Sequence, residues 1–237
     1  MDPSPEEDAK ARAELVSMIA HELRGPITTI KGIAATSRTH FGALSDDDKL
    51  EFIDLIEQES ARMLEIVDEA SLAMKLAARV LPMQAGAADL AAVVREGIGA
   101  GGLDPDREVE LELDEITIDG CDRTRLVEVV RQVVQNAHVF SPPGEPIVVT
   151  LRREGNDAIV EVTDRGPGIP EDRREQVFTT FPNWRPTGYE EVPGTGLGLF
   201  ISRTLVAEHR GRMSVETAPG GGTMLRIRLP LKGTERG

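Results

Sequence analysis

The sequence predicts an α+β protein in two parts. The first is a helical hairpin that pairs with a second copy into a four-helix bundle; the second is an α/β two-layer sandwich. Three observations predict this. Helical periodicity without strand character runs to about residue 80. Alternating apolar and polar segments, interspersed with helices, fill the rest. Glycine-bearing segments stand after a strand and before a helix in that second half.

The hairpin comes first. Residues from about 8 to 40 carry a stripe of Leu15, Ile19, Leu23, Ile27, Ile30 and Ala34, the spacing of one helix face. Residues from about 46 to 80 repeat it with Leu50, Ile53, Ile56, Met63, Ile66, Val67 and Ala70. Between them, Ser45 and Asp48 form a capping-box-like helix start, and acidic residues follow where a helix N-terminus favours them. Two helices alone bury too little apolar surface, so the hairpin is expected to dimerise.

LPMQAGAADL is then read as a linker into a short helix over Leu90–Ile98. Strands are predicted at Glu108–Leu113, Ile147–Arg152, Ala158–Asp164, Met213–Ala218 and Thr223–Leu229. Gly155-Asn156-Asp157 is a hairpin turn between two of them. Helices are predicted over Arg123–Val139 and Leu199–His209. The domain division is accordingly 1–82 and 83–237.

Composition limits the function. Aromatic residues are 3% of the 237, so the core is aliphatic. A net charge of −14 argues against non-specific nucleic-acid binding and anionic membrane surfaces. The single cysteine, Cys121, points to a reducing compartment. No apolar run approaches the roughly 20 residues that span a bilayer, and MDPSPEED does not resemble a signal peptide. The expected location is the cytoplasm.

The chemistry lies in a few segments. DRGPGIP, Asp164–Pro170, follows a strand, so its carboxylate can accept from an adenine amino group while glycines let the backbone come close. Taken alone, it fits a surface turn equally well. GTGLGL, Gly194–Leu199, opens a helix, where exposed amides favour phosphate. GGGT, Gly220–Thr223, reads also as a hairpin loop. Asn136, near the end of an apolar-faced helix, offers an amide oxygen to Mg²⁺, a hard ion. With Leu15 at zero and about 100° per residue, the first stripe centres at about 60° and His21 falls at about 240°. His21 therefore faces solvent, beside Glu22.

Read in order, these segments resemble a bacterial sensor histidine kinase core of the HisKA type with a Bergerat (GHKL) ATP-binding domain. The H box is HELRGP at His21 and the N box is QVVQNA, Gln132–Ala137. DRGPG from Asp164 and GTGLGL are the glycine boxes, with FTTF, Phe178–Phe181, as the F box. The resemblance covers nearly the whole chain. It implies ATP-dependent autophosphorylation of His21, with Glu22 as general base, and transfer to a response-regulator receiver aspartate. It also implies that Asp164 reads adenine with Thr223 assisting through water, and that Asn136 ligates Mg²⁺. Gly166 and Gly168 would admit the nucleotide; Gly194, Thr195, Gly196 and Gly198 would hold phosphates. Pro170–Pro193 would be a lid anchored by Phe178 and Phe181. Independently of the resemblance, Pro26 removes one backbone hydrogen bond and is expected to bend the first helix about a turn after His21.

The chain departs from the family pattern in four places. Gln132 replaces an Asn, Val139 a Lys, Thr180 an Arg, and Gly25 a Thr or Asn. Two phosphate-facing cations are absent, for which Arg173, Arg174, Arg185 or His138 are candidate substitutes. Slow or partner-dependent autophosphorylation and weak phosphatase activity are expected. The alternative reading is a degenerate, non-catalytic dimeric ATP-binding switch acting through protein contacts.

Overall fold

The computed structural model describes residues 5–179, 184–189, 192 and 194–231, with side chains at 13 and from 15 onward. By its contacts the chain forms two compact units, 1–74 with 193–195, and 75–192 with 196–237.

The first unit is built on α1 (Pro5–His40) and α2 (Asp46–Ala77). The turn ends as the sequence predicts. Asp48 N–H donates to Ser45 Oγ (3.1 Å), and Ser45 N–H and Oγ donate to the Asp48 carboxylate (2.9 and 2.7 Å). This reciprocal cap satisfies amides that a helix start leaves unpaired. The α1 seam differs from the predicted stripe. Leu15, Pro26 and Ile33 are buried, with Ile19, Leu23 and Ile30 partly so, whereas Ile27 and Ala34 are exposed. The spacings mix fours and threes, as in a two-helix seam, and the seam rotates away from Ile27. The helix runs unbroken through Pro26. On α2, Ile66, Ala70 and Ala73 are buried, while Leu50, Ile53, Leu64 and Val67 are about half exposed or more.

The second unit holds a five-stranded sheet in the order β2 (Val109–Leu113), β4 (Ile147–Glu154), β5 (Asp157–Thr163), β7 (Thr223–Pro230), β6 (Arg212–Thr217). The β2–β4 pair is parallel and the others antiparallel. A two-stranded sheet pairs β1 (Gly86–Asp89) with β3 (Thr117–Cys121). Three helices complete the unit: α3 (Leu90–Gly99), α4 (Arg123–Phe140) and α5 (Gly198–Glu208). Val93, Val94, Val129, Val133, Val134, Leu205 and Val206 on the helices are buried, as are Ile147, Val149, Leu151, Val160, Leu225 and Ile227 on the strands. Each such side chain contributes about 1.5–3 kcal/mol of burial free energy, and aliphatic packing stands in for scarce aromatics. Alternate residues of the strands carry an ionic ladder, Arg152–Glu161–Arg226–Glu216.

Asp122 ties the unit together at the start of α4. Its Oδ1 accepts from Arg125 N–H (3.2 Å) and its Oδ2 from Gln84 N–H (2.7 Å) in the segment after α2. The Asp122 N–H donates to His209 Nε2 (2.9 Å), and His209 Nδ1 lies 2.7 Å from Leu205 O. His209 is thus a buried crosslink between the start of α4 and the end of α5.

Candidate functional site

In the helical unit, His21 is exposed and Glu22 is partly buried. The Glu22 carboxylate lies 3.8 Å from Arg62 Nη2 on α2. An exposed imidazole beside a carboxylate held by its own helix pair is available to an incoming electrophile. Gly25, one turn on, has open space beside it; beyond its neighbours and the helix's own backbone, no atom lies within 4 Å of a Cβ built there.

In the sheet unit, Asp164 directly follows β5 and is buried. Its Oδ1 accepts from Gly166 N–H (2.7 Å) and Thr223 N–H (3.1 Å), and its own N–H donates to Thr223 O (2.9 Å). Burial pushes its titration above the usual value of 3.8, opposed by the donors from Gly166 and Thr223. The glycines here are required by contact. A Cβ on Gly166 would stand 2.5 Å from Phe140 O, and one on Gly222 would stand 2.1 Å from Asp164 O. Gly168 has φ +74°, the region open to glycine. GGGT is therefore more than a hairpin loop: it forms one wall of the Asp164 turn.

The N-box helix meets this turn at its end, through Phe140 O. A Cβ on Gly198, the first residue of α5, would lie 2.3 Å from Gln132 Oε1 and 3.9 Å from Asn136 Nδ2. The α5 N-terminus thus rests against the Gln132–Asn136 face of α4. Gln132 Nε2 donates to Glu128 Oε1 (2.9 Å), and Arg131 holds the same carboxylate through Nε and Nη2 (2.9 and 2.7 Å). Gln132 keeps the amide of the residue it replaces, but fixes it through Glu128, a contact the sequence does not announce. The structure brings Asn136, Asp164, Gly166, Gly168, Gly198 and Thr223 into this one unit. Gly194 and Thr195 count by their contacts with the helical unit and Gly196 with the sheet unit, so the division cuts this motif.

Nucleotide and metal fit this surface differently. Close-packed glycines and a buried carboxylate acceptor suit a flat base with an amino donor. Among the described residues no group of three His, Cys, Asp or Glu side chains gathers to hold a metal. The local donors are amide oxygens of Asn136 and Gln132, which suit a hard ion that keeps waters and takes its other oxygens from phosphates.

The candidate substitute cations are engaged elsewhere. Arg173 pairs with Gln176 and Asp172, Arg174 with Thr217, and Arg185 with Val192 O. His138 Nδ1 accepts from Arg107 Nε (3.1 Å) and its Nε2 faces Asp104 (3.4 Å). Phe178 is buried at the base of the predicted lid, with the Arg203 guanidinium 4.8 Å above its ring. Thr180, Phe181 and Pro193 lie outside the described residues. Tyr189 meets Phe140, ring centroids 5.5 Å apart, at the end of α4.

Comparison with known proteins gives the same division. Residues 11–77 match the His Kinase A (phospho-acceptor) domain family, and residues 121–233 match the histidine kinase-, DNA gyrase B- and HSP90-like ATPase family. The chain is 30% identical to histidine protein kinase DivJ of Caulobacter vibrioides, over 94% of this chain and 38% of that protein. It is 29% identical to the circadian input-output histidine kinase CikA of Synechococcus elongatus, over 93% and 30%. The chain therefore spans well under half the length of these relatives. Among solved structures, the mycobacterial sensor histidine kinase MprB is 30% identical, with TM-score 0.56, covering 64% of this chain and all of that one. Histidine kinase ThkA, solved with response regulator protein TrrA, is 26% identical with TM-score 0.65, covering 95% of this chain and 65% of that one. On its exposed His21 with Glu22 beside it, its Asp164 turn and Gln132–Asn136 face on the same unit, and these matches, the chain belongs to the bacterial sensor histidine kinases.

Proposed function

We propose that this chain is the catalytic core of a two-component system: it phosphorylates His21 from Mg·ATP and passes the phosphoryl group to an aspartate of a response-regulator receiver domain. The observation that carries this is that the Asp164 turn packs on the end of α4 and the start of α5 packs on the Gln132–Asn136 face of the same helix, in a chain whose other unit exposes His21. We take the boundary between the two domains at about residue 82, and ATP supply places the core in the cytoplasm.

The residues divide the work as follows. Asp164 accepts the adenine amino group, with Thr223 beside it. Gly166 and Gly168 allow backbone approach, and Gly194, Thr195, Gly196 and Gly198 line the phosphates. Asn136 would hold Mg²⁺, which neutralises phosphate charge when bound. One nitrogen of the His21 imidazole attacks the γ-phosphorus as the bond to the β–γ bridging oxygen breaks. Glu22 takes the proton from the other nitrogen. The exposed apolar residues of α2, Leu50, Ile53 and Leu64, are the surface of a homodimer, which sedimentation would report as twice the chain mass.

With Val139 in place of a Lys and the candidate cations engaged elsewhere, phosphate charge is weakly neutralised, and autophosphorylation is slow. The test is incubation of the purified chain with γ-labelled Mg·ATP. Acid-labile, base-stable label on the protein is expected. Nucleotide binding with no such label would leave the non-catalytic switch as the reading.

A further inference from the structure

Arg107 lies outside the residues matched by either family, in the connection between α3 and β2. Its guanidinium nevertheless gathers the end of the N-box helix and the loop after it. Nη1 donates to Pro142 O (2.8 Å) and Glu145 O (2.9 Å), Nη2 to His138 O (3.4 Å), and Nε to His138 Nδ1 (3.1 Å). A helix leaves its last carbonyls unpaired and partly negative, so a planar cation there satisfies several acceptors together. Asp104 holds the connection in place, facing His138 through its carboxylate and accepting Arg107 N–H at 2.9 Å through its carbonyl.

The loop so fixed is the seat of the Asp164 turn. Gly166 packs so closely on Phe140 O that a Cβ there would lie at 2.5 Å, and Arg165 N–H donates to the buried Ser141 Oγ at 3.4 Å. Gly166 N–H in turn orients the Asp164 carboxylate. A continuous line of contacts thus runs from Arg107 through residues 138–142 to the carboxylate, with no slack at Gly166.

We propose that Arg107 is a positioning residue for the adenine end of the nucleotide site, setting the Asp164 carboxylate through the 138–145 loop. This rests on the reading of the Asp164 turn as the adenine contact. Arg107 itself touches no substrate.

The test is calorimetric titration of the full chain with Mg·ATP and Mg·GTP, for wild type and Arg107→Ala, with amide exchange at 164–168. The expected result is about tenfold weaker ATP binding, a reduced preference for ATP over GTP, and faster exchange at 164–168 in the variant. Arg107→Lys keeps charge and bulk but cannot reach all three carbonyls; it moves in the same direction by less, and serves if the alanine variant does not fold. Unchanged ATP affinity in Arg107→Ala, equal loss of ATP and GTP, or a lysine variant as tight and selective as wild type would overturn the inference. A wild-type chain that binds neither nucleotide would overturn the reading of the Asp164 turn, and this inference with it.

Discussion

At Asp164, burial and hydrogen bonding act in opposite directions, and burial dominates. An acid whose folded-state pKa is raised holds its proton more tightly in the folded chain than in the unfolded one. The associated stability is present at low pH and is lost as pH rises through the folded-state value. At neutral pH the ionised carboxylate is therefore a structural cost kept for what it accepts. Asp164→Asn keeps an oxygen for the Gly166 and Thr223 amides but turns a donor towards the base. Its thermal midpoint at neutral pH is expected to match or exceed wild type, while ATP affinity falls at least tenfold by calorimetry. A variant that binds ATP as wild type does would remove Asp164 from the site. Gly25 is a second residue with a simple test. A Cβ there meets open space, and replacing a mid-helix glycine costs the helix nothing. Gly25→Thr should dephosphorylate a phosphorylated receiver several-fold faster than wild type; equal rates would show that the missing side chain is not what limits that reaction.

Among elements, α4 and α5 decide the site, because one carries Gln132 and Asn136 and the other begins at Gly198 against them. The segment between Asp164 and α5 contains the chain's single tryptophan, Trp184, and its single tyrosine, Tyr189. Tyr189 rests on Phe140 at the end of α4. Closure of this segment over a nucleotide changes the surroundings of Trp184, so Mg·ATP should shift its fluorescence in a saturable way. Asp164→Asn should need correspondingly more nucleotide for the same change. A titration flat at saturating nucleotide would mean that this segment is not a lid.

The long elements were legible because burial imposes a period. The α4 face Val129–Val133–Val134–Ala137 and the alternating β4 and β7 are written in the order of their apolar residues. GAAD and TIDGC, which form β1 and β3, carry no alternation; they are strands only because each pairs with the other. The α1 stripe was read one position out at Ile27, since Pro26 sits at the seam and no composition rule places a proline there. Asp164, Asn136 and the glycines stood out by motif order. Glu128 and Phe140 O did not, and Gly222 stood out only as part of a hairpin loop, because their contacts exist only once α4, α5 and the β6–β7 turn are packed.

At the scale of the whole molecule, His21 lies in the first unit and Asn136 and Asp164 in the second, each unit with its own core. Chemistry then depends on approach of one to the other, and positioning dominates catalysis of this kind. The account's central claim is that the exposed imidazole of α1 receives the phosphoryl group. It is tested most directly by incubating the chain with γ-labelled Mg·ATP and locating the label. The account predicts an acid-labile, base-stable phosphoryl group on the peptide containing His21, absent from His21→Gln. Label accumulating on His21→Gln as fast as on wild type would contradict it.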